Sequence, residues 1–284
     1  METKQQVLID TFVDQIISLD GRRSYGSDRS KYKKDIKAFF KIGIDPNMFV
    51  NVNLRHRLIT EYTTTDSSRL PLLHTAVVQS NWTLVDALLE AGVSTDSLDD
   101  FSRTPIFYAK DYRNSSSIPF EIKSIFKHKP SLNIADYNGM TPLMFMLDNS
   151  DASSAGRIAM AAWLLDGRTL EEIGKPNEIL HIVIENFNTH VNAKEHYFHR
   201  FKTESSLVNI VRKIVGLGID PTTYSDSFDC NLLEHVAAII KHEEEAERNV
   251  DGLKEIQEIL QSAEKVAFKA QILAELNQAR KQVA

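Results

Sequence analysis

Read along the chain, apolar residues fall at helical spacing in one segment after another. Residues 2 to 19 place Val7, Leu8, Phe12, Ile16 and Ile17 on one face, closed by Gly21, and predict an N-terminal helix. The polar run GRRSYGSDRS, residues 21 to 30, predicts a loop, and KYKKDIKAFFKI, residues 31 to 42, a second helix. Further stripes follow at Leu84, Leu88 and Leu89, at Ile122, Ile125 and Phe126, and at Ile158, Ala162, Trp163, Leu164 and Leu165. SLVNIVRKIVGL, residues 206 to 217, repeats the pattern, whereas residues 50 to 69, with TTTDSS, predict an irregular insertion. From Leu253 onward Ile256, Ile259, Leu260, Ala263, Val266, Ala267, Ala270, Ile272, Leu273 and Leu276 recur at three and four, among strong helix formers. Residues 252 to 284 therefore predict one or two long amphipathic helices.

Between the stripes lies a recurring turn. Residues 131 to 147 read SLNIADYNGMTPLMFML, in which Asp136, Gly139, Thr141, Pro142 and Leu143 follow the order D-x-x-G-x-T-P-L. Asp136 can bond its own backbone and Gly139 tolerates positive φ, so the pair suits a tight turn. Thr141 suits a helix cap, and Pro142 at the first helical position gives up only an N–H without a partner. Thr104-Pro105-Ile106-Phe107-Tyr108-Ala109 repeats the motif, with Asp100 read as its turn residue. Weaker copies start at Pro71 (with Leu73-His74-Thr75-Ala76), at Glu178 (with Leu180-His181) and at Asn231 (with Leu233-Glu234-His235). GIDP at Gly43 to Pro46 and Gly218 to Pro221, with AGVSTD at Ala91 to Asp96, marks helix ends in the same phase, each with Gly in a left-handed cap.

These motifs resemble the ankyrin repeat, a helix hairpin of about 33 residues signed T-P-L-H-x-A. The resemblance is clearest over residues 70 to 145 and extends more loosely to 240. It implies an all-α solenoid with helical N- and C-terminal caps: residues 1–30 as capping helix and loop, 31–240 as about five degenerate repeats, and 241–284 as a helical cap or tail. It also implies a structural place for His74 and His181, at the signature histidine that bridges backbone groups of neighbouring turns.

Composition adds limits. With 42% hydrophobic and 25% charged residues in 284, the chain can bury a continuous core. A net charge of −6 argues against general nucleic-acid or membrane-surface binding, and no apolar run reaches the roughly 20 residues that span a bilayer. Residues 1 to 20 lack the basic start and apolar block of a signal peptide, and the single Cys230 excludes an internal disulfide. Cytosol is the expected compartment. The acidic residues Glu243, Glu244, Glu245, Glu247, Glu255 and Glu258 also resemble the glutamate-rich C-terminal stretch of ankyrin effectors that intracellular bacteria secrete into a host cell cytosol, although a solvated face is the simpler reading.

Candidate chemistry is thin. Cys230 and His235 suggest a thiol and its base, but a small thiol packed beneath the turn is the preferred reading of Cys230. His196 and His199 share a helical face that could hold Zn²⁺, without a Cys or nearby carboxylate to complete the shell. Arg22, Arg23, Arg29, Lys31, Lys33, Lys34 and Lys37 read as a solvated face, or else as a docking patch for an acidic partner. No P-loop, dinucleotide fingerprint, nucleophile elbow or H-E-x-x-H occurs, so no catalytic, cofactor or metal residue is assigned.

The expectation is a non-catalytic scaffold, monomeric, binding a protein partner through a concave face of turn tips and first helices. Its contact residues are read as Asp99, Asp100, Phe101 and Arg103 at one tip, Tyr137, Asn138 and Met140 at the next, and Tyr224, Asp226 and Phe228 at a third. The alternative is an enzyme or modifying domain with its site in the 185–205 insertion or the C-terminal region.

Overall fold

The fold, obtained as a computed structural model, describes residues 3–17, 29–52, 68–110, 123–148, 155–192 and 197–283. Residues 21–28 of the predicted 21–30 loop, most of the 50–69 insertion, Ile122 and His196 lie outside these residues, as does the side chain of His199, and the loop's last two residues, Arg29 and Ser30, open a helix instead. Two compact units divide the chain, Met1–Pro142 and Leu143–Ala284. Most of the described chain is helical, and no described helix is long and apolar enough to cross a membrane.

In the first unit, α1 (Lys4–Phe12) continues into a π-helical turn (Val13–Ile17). Phe12, Ile16 and Ile17 are buried, but Val7 is half exposed, so the predicted apolar face is used only at its C-terminal end. Phe12 meets Phe39 edge-on at 5.3 Å, which docks α1 on α2 (Arg29–Lys41). A short strand pair accompanies the helices. Strands β1 (Phe49–Val52) and β2 (Ser68–Pro71) form an antiparallel pair, with Val50 opposite Leu70. Both of those side chains are buried, and the ladder closes the ends of what was read as an irregular insertion.

Helices α3 (Leu72–Val78) and α4 (Trp82–Glu90) form a hairpin whose fold-back is held by Asn81. Its side chain accepts from Leu84 N at 3.2 Å and donates to Tyr32 Oη at 2.9 Å and Ile16 O at 3.3 Å. The 3₁₀ helix Pro105–Lys110 packs on α3, and α5 (Lys123–Lys127) on α4, so like helices touch like. On its other side α4 carries α2: Arg29 pairs with Asp86 at 2.9 Å, and Lys33 and Lys37 both reach Glu90. Hydrogen bonds from Lys33 and then Lys37 hold the Glu90 carboxyl below its ordinary range. Three cations of the predicted basic patch are thus paired within the unit.

The second unit is layered in the same way. Helix α6 (Pro142–Leu147) begins at the boundary, followed by α7 (Ala155–Leu164), a short α8 (Leu170–Ile173), α9 (Pro176–Asn192), α10 (Tyr197–Gly216), α11 (Leu232–Glu245) and α12 (Asp251–Val283). Helix α9 packs on α11, while α10 packs on both α7 and α12. The predicted stripes are the core here: Leu143, Ile158, Leu164, Leu207, Ile210, Val211 and Ile214 are all buried.

Helix ends follow one rule in both units. Gly43, Gly92 and Gly218 have φ of 118°, 89° and 93°, and the following Ile44, Val93 and Ile219 are buried. Only glycine takes such angles without a Cβ penalty, so the chain leaves each helix and immediately returns an apolar residue to the core. The next turn closes alike at each: Asn47 N reaches Asp45 Oδ1, Asp96 N reaches Ser94 Oγ, and Thr222 N reaches Asp220 Oδ1, at 2.9, 3.1 and 2.9 Å.

Helix α12 is one rod, and only its first turns are covered, by Leu253, Ile256 and Leu260. Val266, Phe268, Ile272, Leu273 and Leu276 are exposed. The acidic run before it is not wholly solvated, because Glu243 is completely buried, its two oxygens taking Arg248 Nη1 at 3.2 and 3.0 Å.

Candidate functional site

Two turns of the first unit share a single plan. Asp99 Oδ1 accepts from Phe101 N at 2.8 Å and Arg103 N at 2.9 Å, and Asp136 Oδ1 accepts from Asn138 N at 2.9 Å and Met140 N at 3.1 Å. Each Asp N–H donates to the carbonyl four residues on, and the third residue after each Asp has positive φ: Ser102 at 59° and Gly139 at 75°. The turn residue of the earlier finger is therefore Asp99 and not Asp100. Counting five back from Thr104, as from Thr141, finds it in the sequence. By this register Phe101 matches Asn138, and Tyr137 matches Asp100.

The fingers are joined to each other. Arg103 Nε and Nη2 both reach Asp136 Oδ2 at 3.3 Å, in a buried pair, and the same guanidinium lies 5.4 Å from the Phe101 ring centroid. Tyr137 N donates to Phe101 O at 3.3 Å. Beneath them, His74 Nε2 donates to Arg103 O at 2.9 Å, one half of the backbone bridge that the resemblance implied, while its Nδ1 is buried without a partner. Burial holds the His74 imidazole below its ordinary range despite that carbonyl and the charge of Asp99. Tyr108 donates its hydroxyl to Asp99 Oδ2, and burial with that carboxylate raises its phenol. Thr104 is buried with its hydroxyl unpartnered, so it does not cap the 3₁₀ helix as expected for this position.

This sorts the predicted contact residues. Asp99 and Arg103 are buried and hold the fingers together, a correction to their reading as exposed. Phe101 and Met140 are half-buried, and Asp100, Tyr137 (72% exposed) and Asn138 face solvent.

The third predicted tip lies in the second unit and is built differently. Ser225 stands where the other turns have Asp, and bridges to Cys230 with its N–H on that carbonyl at 3.1 Å. The loop is one residue longer, with positive φ at Asp229 (54°), and ends in a capping box between Asn231 and Glu234 that starts α11. Tyr224 and Asp226 are exposed, and Tyr224 gives its hydroxyl to Asp229, a bond that pushes its phenol up to about 12. Phe228 is not a free tip. Its ring stacks on His181, with centroids 4.4 Å apart and planes 9° from parallel.

That stacking adds His181 to Cys230 and His235, which the sequence reading had paired without it. His181 on α9, Cys230 in the turn and His235 on α11 bring one imidazole nitrogen each and Sγ within 4.8 Å of one another. His181 Nδ1 and His235 Nδ1 are 2.7 Å apart, so His181 bonds a side chain and not the neighbouring backbone that the resemblance implied. Its Nε2 is buried without a partner. Burial, and then the neighbouring His235, press the His181 imidazolium down to about 4, and burial lowers His235 too. Both rings are uncharged near neutrality. Cys230 is half-buried, and burial with Glu234, Asp229 and Glu185 pushes its thiol up, the opposite of what an activated nucleophile needs. The signal for the cluster was present, since His181 and His235 stand three and four residues after Glu178 and Asn231, where the two weaker copies of the motif start.

Set against known proteins, the chain matches no family model and no curated sequence.

Proposed function

We propose that the chain is a protein-binding scaffold of the ankyrin type, a solenoid of degenerate repeats whose finger tips contact a partner protein. One observation carries the reading: Asp99 and Asp136 organise two turns by the same hydrogen bonds, and the turns are locked together from beneath. Stability resides in the buried layer, which leaves Asp100, Tyr137 and Asn138 free of packing duties. An exposed Tyr beside an Asp and an Asn has the chemistry of an interface anchor with polar neighbours. In this reading the protein acts in a cytosol, its own or a host's, as a monomer that tethers its partner.

The test is a triple variant, Asp100→Ala with Tyr137→Ala and Asn138→Ala, compared with wild type for melting and for partner capture from lysate. Capture falling by about thirtyfold or more with melting unchanged supports the reading, since one aromatic anchor contributes about 2 kcal/mol. Capture retained, or melting lowered by many degrees, contradicts it.

A further inference from the structure

We propose that His181, Cys230 and His235 form a binding site for one Zn²⁺ ion, with Glu185 as the carboxylate that orients His235. The donors come from three places, α9, the Ser225–Cys230 turn and the first turn of α11, and converge within 4.8 Å. Two imidazoles and a thiolate are a donor set that Zn²⁺ prefers, with a fourth position left for water.

The histidine geometry is specific. The ring centroids are 4.8 Å apart and the planes 30° from parallel, while the two Nδ1 atoms are only 2.7 Å apart. The nitrogens therefore sit on the facing edges of the rings, close to the line between them, with their in-plane lone pairs directed at a common point. Something positive must lie there, either a proton on one nitrogen or an ion held by both. Zn–N bonds of about 2.0–2.1 Å at a tetrahedral angle place two nitrogens about 3.3 Å apart, so exchanging the shared proton for the ion opens the pair by roughly 0.6 Å. Because the nitrogens lie near the line between the centroids, a tetrahedral angle at the ion also turns each ring by about 35°.

The surroundings favour the ion. His235 Nε2 lies 3.9 Å from Glu185 Oε1, so with Nδ1 on the metal its N–H faces a carboxylate, as in carboxylate–histidine–zinc triads. Phe228 stacks flat on His181 and fixes that ring's plane. The carboxylates of Glu185, Asp229 and Glu234 are near enough to act on Cys230, and their field attracts a cation to this point. The Nε2 of His181 lacks a partner whichever tautomer is present, so it does not oppose binding selectively. When Zn²⁺ binds, the proton between the two Nδ1 atoms moves to Nε2 of its own ring, so each imidazole stays neutral, only the thiol proton leaves to solvent, and the ion ties α9, the Ser225–Cys230 turn and α11 together.

The experiment uses the full chain, stripped with a chelator and titrated with Zn²⁺ by calorimetry and with Co²⁺ by absorption. The expected result is one saturable equivalent, a thiolate-to-cobalt charge-transfer band with four-coordinate visible bands, and a higher melting temperature with Zn²⁺. Cys230→Ser should abolish the charge-transfer band, and it and His235→Gln should each weaken Zn²⁺ binding at least tenfold while melting like wild type in chelator. A His196→Ala, His199→Ala variant should bind unchanged. No saturable binding, or binding that survives Cys230→Ser and His235→Gln, or that depends on His196 and His199, overturns the proposal.

Discussion

At the residue scale, the buried Arg103–Asp136 pair ties one finger to the next. Removing one partner of such a pair leaves the other charge buried and unmatched, at a cost of about 3–5 kcal/mol. Arg103→Ala should lower the urea midpoint accordingly, while Arg103→Met with Asp136→Asn should lose less than the two single changes together. An additive loss would show that the two side chains act separately. Histidine supplies a second prediction. His181 falls from an ordinary 6.5 to about 4 on folding, so the unfolded chain binds the extra proton. Stability is complete above about pH 6.5 and is lost as pH falls towards 4. His74 and His235, also lowered by burial, add in the same sense, while Glu185, raised by burial and Asp148, acts weakly against it. In chelator, His181 alone should cost on the order of 2 kcal/mol between pH 7 and pH 5, and His181→Leu should flatten that part of the profile. A profile as steep as wild type would remove His181 from the account. What the sequence showed at this scale was local: the Asp136 turn and the glycine helix ends depend on neighbours within five positions. The Arg103–Asp136 pair joins two turns 33 positions apart, and no local spacing announces it.

At the scale of elements, the helices were legible because a buried helix face must repeat every three or four residues. Leu84, Leu88, Ile158, Leu164 and Leu207 obey that rule and are buried. The rule failed where burial is set by the partner and not by the helix. Val7 has helical spacing but is half exposed among the described residues, and the stripe from Val266 to Leu276 continues past the point where α12 is covered. The β1–β2 pair was missed because two four-residue strands separated by a long insertion carry too short an alternation to register. Leu143→Ala and Leu164→Ala test two of the buried stripes of the second unit. Each side chain is buried, and each change should cost about 2–5 kcal/mol by chemical denaturation. A loss under about 0.5 kcal/mol at either would mean that the helix phase is wrong.

For the whole molecule, the question is which parts hold the fold and which are left over for contact. Helix α12 divides at this level. Its start buries Leu253, Ile256 and Leu260 against α10 and α11, and Arg212 pairs with Glu255 across the junction. Further along, Glu264, Ala267, Phe268 and Gln271 border a groove with Asp220 and Thr222, and beyond Ile272 the helix face is bare. A chain ending at Gln271 should therefore melt with wild type, whereas one ending at Asp251 should melt many degrees lower or aggregate, since it opens an apolar layer. Equal melting of all three would make α12 a tail and not a cap. The finger tips are the other exposed structure, and the scaffold account depends on them. The most direct measurement places a photo-crosslinking residue at position 137, and in parallel at position 7, where Val7 is exposed on α1 far along the chain from the fingers. The account predicts one discrete protein adduct from position 137, lost when Asp100 and Asn138 are changed to Ala, and no such adduct from position 7. The same adducts from both positions, or none from position 137, would contradict it.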